Sequence, residues 1–232
     1  MTSLINTRFP NGVTNVLDND LFQAMPQPDP TKLYELDDDF FSYHASEWTV
    51  TETQAGATQA LGAGVGSWLV LTNSAANNDL NMVQRTFALA SFAAGKRAWF
   101  KARFKVDNAN LAALVVGMQN INTAPLTATD GIYFTKAGGT TNLSVICRRN
   151  TTTGSTSAVV GTLADDTFVE VGWYYNGVDR VLFSLNGNVV GSLDGSSTFL
   201  PDANCSVVVA VANGSAVART LTADYVYFGF ER

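Results

Sequence analysis

The stretch Thr167–Leu193, TFVEVGWYYNGVDRVLFSLNGNVVGSL, leaves a chain few folding choices. Val169, Val171, Trp173 and Tyr175 alternate with Phe168, Glu170, Gly172 and Tyr174, the period of two that gives a strand two different faces. Asn176-Gly177 breaks the run. Val181, Phe183 and Leu185 then resume it, and Asn186-Gly187 ends it with the dipeptide best suited to the two positive φ angles of a type I′ turn. A two-residue loop there sets Ser184 opposite Val189 and Phe183 opposite Val190. The expectation is three antiparallel strands joined by two turns.

The same alternation and punctuation predict strands at 67–72, 98–106, 111–119, 131–135, 142–149, 156–160, 205–212 and 221–231. In 98–106 the pattern puts Trp99, Lys101, Arg103 and Lys105 on a solvated face and Ala98, Phe100, Ala102, Phe104 and Val106 on a core face. The run 111–119 is continuously apolar with Gly117 inside it, which suits a strand buried on both sides or bulged at the glycine. Residues 80–94 fit both a helical stripe and an alternating strand, and context favours strand. Residues 54–66, rich in Gly and Ala, read as loop. No period of 20 to 50 residues repeats, which leaves solenoids and propellers without support.

Charged residues make up only 15% of the 232-residue chain, and its net charge is −6. Nucleic-acid binding relies on clustered Lys and Arg, so that class is disfavoured, and the same sign disfavours anionic membranes. No apolar run approaches a membrane span, and no signal peptide is visible at the N-terminus. Cys147 and Cys205 lack the spacing of a disulfide framework and are expected as buried thiols. Asp37-Asp38-Asp39 reads as a solvated strand boundary or a calcium corner, and it lacks the spaced pattern of a calcium loop.

Enzyme chemistry finds little to use. Glycoside hydrolysis needs carboxylates alternating along one strand, and Glu170 stands alone in its own. His44 is the single histidine, and no G-x-S-x-G elbow accompanies it. Neither a zinc ligand set nor a phosphate cradle is present. The expectation is a non-enzyme without cofactor, metal site or catalytic residues.

Residues 1–32 differ from the rest. Leu4, Ile5, Phe9, Val13, Val16, Leu17, Leu21 and Phe22 lie between Asn, Asp and Pro, and Pro26, Pro28 and Pro30 favour a stiff, extended end. The segment cannot build a core, so it reads as an arm preceding a β-sandwich domain at 33–232. Its apolar residues are the expected contacts of an arm laid on its own domain, on a neighbouring subunit or on a larger assembly.

The DDDFF opening, AGKRAWFKARFKV, FVEVGWYYNG followed by RVLFSLNGNVVGSL, the FLPD turn and the aromatic C-terminal strand together resemble the concanavalin A-like jelly roll. That group includes legume-type lectins, laminin G-like modules, family-16-type glucanases and phage structural proteins. The resemblance implies an all-β, two-sheet antiparallel sandwich. In sequence style it is nearest to tailed-phage head decoration proteins. That implies a virion capsid protein made in a host cytoplasm, with the major capsid protein and copies of itself, as a homotrimer, for partners. The alternative is a lectin-like module of a phage or bacterial surface protein, stacking sugars on Trp48, Trp68, Trp99 or Trp173.

Overall fold

The computed structural model describes residues 32–63, 65–150 and 154–232. The expected arm contacts from Leu4 to Phe22 therefore lie outside the described residues. Among the described residues fifteen strands run in chain order. They are β1 (Leu33–Asp38), β2 (Trp48–Glu52), β3 (Thr58–Gly62), β4 (Trp68–Thr72), β5 (Leu80–Arg85), β6 (Ala98–Val106), β7 (Ala112–Asn120) and β8 (Gly131–Lys136). After them come β9 (Asn142–Arg149), β10 (Gly154–Thr162), β11 (Val169–Tyr175), β12 (Arg180–Leu185), β13 (Asn188–Asp194), β14 (Cys205–Asn213) and β15 (Thr220–Glu231). Between β1 and β2 there is one short 3-10 turn at Ala45–Glu47, and between β7 and β8 another at Pro125–Thr127.

Two antiparallel sheets face each other. One runs β13-β12-β11-β6-β15-β4-β3, with β1 also on β15; the other runs β10-β9-β8-β7-β14-β5-β2. Strand β15 organises the first. Along one edge it pairs with β6, and along the other it pairs first with β4 and then with β1. Alternate residues of both sheets point inward to one core, in which Trp173 stacks on Phe100 at 5.8 Å and meets Phe92 and Phe228. Cys147 and Cys205 sit there as free, buried thiols. Burial in apolar surroundings pushes Cys147 up to about 12, so it is inert at neutral pH.

Most of the expected strands are present, and the departures have local causes. The hairpin turn forms as expected, with Asn186 and Gly187 both at positive φ, 49° and 79°. Ser184 pairs with Val189, but the register then slips and Phe183 lies opposite Gly191, not Val190. The Phe183 ring occupies the space above Gly191, where a Cβ would come within 2.6 Å of it. Strand β3 lies within the stretch expected to be loop, held by backbone pairing to β4. Strand β5 ends at Arg85, and the rest of 80–94 keeps only an isolated bridge from Ala90 to Cys205. Trp99 is buried, not wet, because β1 brings Leu33 over it and Tyr174 stacks on it at 5.4 Å.

Gly117 carries no bulge and pairs in register with Tyr133 and Val208. Its φ is 153°, and a Cβ would meet the Cα of Tyr133 at 2.5 Å. Gly117→Ala therefore forces two central strands apart, and it should lower the unfolding free energy by roughly 2–3 kcal/mol. Urea denaturation checks this, and an unchanged midpoint would contradict the contact.

Lys136 ends β8 almost fully buried, and its ammonium donates to the carbonyls of Ala137 (2.9 Å), Thr140 (2.8 Å) and Asn110 (3.4 Å). Desolvation lowers it to about 8. Between that value and the usual 10.5 the unfolded chain still holds the proton that the folded chain has lost, so this group makes stability rise with pH. Buried Cys and Tyr groups act oppositely at higher pH, since their raised values are ionised first in the unfolded chain. The stability of the natural protein relative to Lys136→Met should thus increase from pH 7.5 to 9.5 in denaturant titrations, and a flat difference would refute the buried charge.

A neutral groove on the seven-stranded sheet as candidate functional site

The outer face of the seven-stranded sheet is built from the residues that alternate with the core. Leu80, Met82, Ala113, Val115, Tyr133, Val208, Ala210 and Ala212 form a second apolar cluster there, with Ile146 packed against it. Small side chains on β7 and β14 leave room above the strands, and surrounding loops turn that room into a groove of about 960 Å³.

One wall is the connection between β7 and β8, which carries Thr123–Thr127. Buried glutamines hold it. Gln119 Nε2 donates to Pro125 O at 2.8 Å, Gln84 Nε2 donates to Asn120 O at 3.1 Å, and Gln84 Oε1 accepts from the Asn122 amide at 3.2 Å. The opposite wall is the turn between β8 and β9, fastened from inside by the Lys136 ammonium. The end of the groove holds Thr53, Asn78 and Asn213. There Asn73 Nδ2 donates to Asp79 O (2.8 Å) and Asn213 Oδ1 (2.9 Å), and Asn213 Nδ2 donates to the carbonyls of Ser74 and Ala76, both at 2.7 Å. The buried Asp79 carboxylate accepts from Thr53 Oγ1 at 2.9 Å and the Ser74 amide at 2.7 Å.

What faces the groove is uncharged apart from that anchored lysine. Thr135, Ser144, Asn142 and Ser157 supply hydroxyls and an amide over a floor of Leu80, Ala113, Ala212 and Ile146. Among the described residues lining it there is no Asp, Glu, His or Cys and no aromatic ring. The arrangement offers hydrogen bonds and apolar contact, without the pair of facing carboxylates that glycoside hydrolysis uses. None of these lining residues stood out in the sequence. The available signal was an Asn-rich loop, NSAANND at 73–79, and the polar residues Gln119 and Asn213 inside apolar strand runs.

The residues singled out for sugar stacking are not in the groove. Trp48, Trp99 and Trp173 are 4%, 0% and 0% exposed, so no sugar ring can lie on them. Trp48 packs on Phe40, Trp99 on Tyr174, and Trp173 on Phe100. Trp68 is only partly buried, beside Phe168 at 5.7 Å on the other sheet. The basic row of β6 is matched by acids. Glu170 meets Lys101 at 2.9 Å and accepts from Tyr225 Oη at 2.5 Å, Asp224 pairs with Arg103, and Asp166 lies 3.5 Å from Lys105. His44 is exposed and contacts Ser42 Oγ at 3.1 Å, and Asp38 caps the Phe40 amide at 3.1 Å.

No family model matches the chain. No curated protein matches its sequence. Solved structures do match in fold. An endo-1,3-β-glucanase from Streptomyces sioyaensis is similar with TM-score 0.60 and 13% identity, over 88% of this chain and 99% of that one. The carbohydrate recognition domain of Emp47p is similar with TM-score 0.58 and 11% identity, over 87% and 98%. Peanut lectin is similar with TM-score 0.57 and 10% identity, over 85% and 97%. At such identity the likeness concerns the fold alone: the chain is an all-β sandwich of two antiparallel sheets, similar in fold to these lectins and this glucanase.

Proposed function

We propose that the chain is a non-catalytic, lectin-like module that holds an uncharged saccharide in the groove on its seven-stranded sheet, as part of a phage or bacterial surface protein. The observation that carries this is the lining of the groove, with hydroxyl and amide groups above small apolar side chains and no carboxylate within it. Sugar hydroxyls can exchange hydrogen bonds with such groups, and a pre-formed groove avoids ordering costs on binding. The likeness in fold to a carbohydrate recognition domain, a lectin and a glucanase supports a glycan as ligand. The absence of Asp and Glu among the described residues lining the groove supports binding over cleavage.

A second reading is capsid decoration, in which the chain binds and stabilises a phage shell through residues 1–32 and one face of the sandwich. It is favoured by Phe41 and Phe87, 73% and 78% exposed, on a chain with few charges. Rings held in water are surfaces that gain when another protein covers them. Removal of residues 1–31 should leave the sandwich folded and abolish co-sedimentation with shells, whereas retained attachment would end that reading.

For the primary reading, a glycan array probed with the full chain should give saturable binding to neutral oligosaccharides. Ser144→Trp, which puts a bulky ring into the groove, should weaken it at least tenfold. No reducing ends should be released on prolonged incubation. An array without hits, or binding indifferent to Ser144→Trp, would defeat the proposal, and released sugar would defeat its non-catalytic part.

A further inference from the structure

A second cavity, of about 710 Å³, opens on the flank of the sandwich beside β1. Its floor is Phe228 and Phe230 of β15, stacked at 6.4 Å. Leu33 and Leu36 of β1 form one wall, and Ala88–Ser91, from the connection between β5 and β6, form the other. The floor belongs to the main core, so this is an apolar slot reaching between the sheets. At its mouth the Lys96 ammonium lies 5.8 Å from the Phe230 ring, and the Arg232 guanidinium lies 3.9 Å over Tyr34. Among the described residues lining it, Glu35 is the one with a carboxylate side chain.

The chain enters β1 from residues 1–31 at this slot, since Leu33 is both the first residue of β1 and part of the wall. That segment carries a matching sequence. Leu21-Phe22 is preceded by Asp18 and Asp20, and no Lys or Arg occurs from Phe9 to Thr31. Two large apolar side chains next to two acids complement an apolar slot whose mouth is mainly basic. The spacer decides whose slot is filled. Pro26, Pro28 and Pro30 favour extended backbone at about 3.1 Å per residue, so the stretch from Phe22 to Lys32 reaches roughly 30 Å. Strand β1, with six residues, is only about 20 Å long. A spacer as extended as these prolines favour would reach past its own slot to a neighbour.

We propose that the slot beside β1 receives Leu21-Phe22 of a second copy of this chain, so that the N-terminal segment links sandwiches by exchange. The contact is heterologous: each chain gives a segment and offers a slot, and closed rings follow where the rotation permits.

Light scattering of the full chain and two point variants tests it. The natural chain should be an oligomer. Phe22→Ser, which spoils the inserted segment, and Ala88→Trp, which fills the slot from an exposed position, should each be monomeric with unchanged thermal midpoints. Mixed in equal amounts, the variants should form a dimer, since one retains a good slot and the other a good segment. Ala88→Glu, which repels Asp18 and Asp20, serves if the Trp variant does not fold. A monomeric natural chain, variants that remain oligomeric, or a mixture that stays monomeric would each overturn the exchange.

Discussion

The packing of Trp173 against Phe100, Phe92 and Phe228 is the contact on which the rest of the molecule depends. These rings come from three strands of one sheet and from the connection before β6, and they meet a second sheet rich in Val and Leu on its inner face. Large aromatic side chains bury much apolar surface each, so a core of this kind can hold two broad sheets together with few charged residues. The outer faces are thereby freed for other uses. One is covered by ion pairs and aromatic rings centred on β6, and the other carries small residues beneath loops.

That division explains why the groove is neutral. The only ammonium lining it among the described residues, Lys136, donates to backbone carbonyls of the turn that forms a wall and of Asn110. The buried carboxylate near its end, Asp79, is spent on Thr53 and Ser74. Polar groups inside the rim hold loops in place, and those left facing the groove are hydroxyls and amides. A buried polar group needs its partners, and satisfied networks of this kind fix geometry more than they add net stability. The rims are thus held by hydrogen bonds from beneath, leaving the surface available to a ligand.

Much of the fold was legible because alternation and turn chemistry are local. Strands β6 and β9 were read to their ends, and the type I′ turn at Asn186-Gly187 formed as its residues dictate. What escaped depended on residues far apart in sequence. Trp99 falls on the solvated face of its alternation, yet β1, some sixty residues earlier, lies over it. Strand β3 has little propensity of its own and exists through pairing with β4. Phe183 met Gly191 because a ring needed the space above a glycine, a preference invisible to turn rules. The groove was least legible of all. Its lining is mostly Thr, Ser, Asn and Ala, residues that signal surface or loop in sequence and acquire meaning only when six strands and five connections bring them together. Tryptophans, by contrast, suggest sugar platforms in a sequence, and three of the four are buried.

The proposed binding surface is the neutral groove of the seven-stranded sheet. Amide hydrogen exchange of the full chain, with and without a saturating neutral oligosaccharide, tests it most directly because it reports location. Exchange should slow in residues 121–128 and 137–142, the two walls, while the outer face of the eight-stranded sheet stays unchanged. Protection confined to that other sheet, around Trp68 and Phe168, would contradict the account.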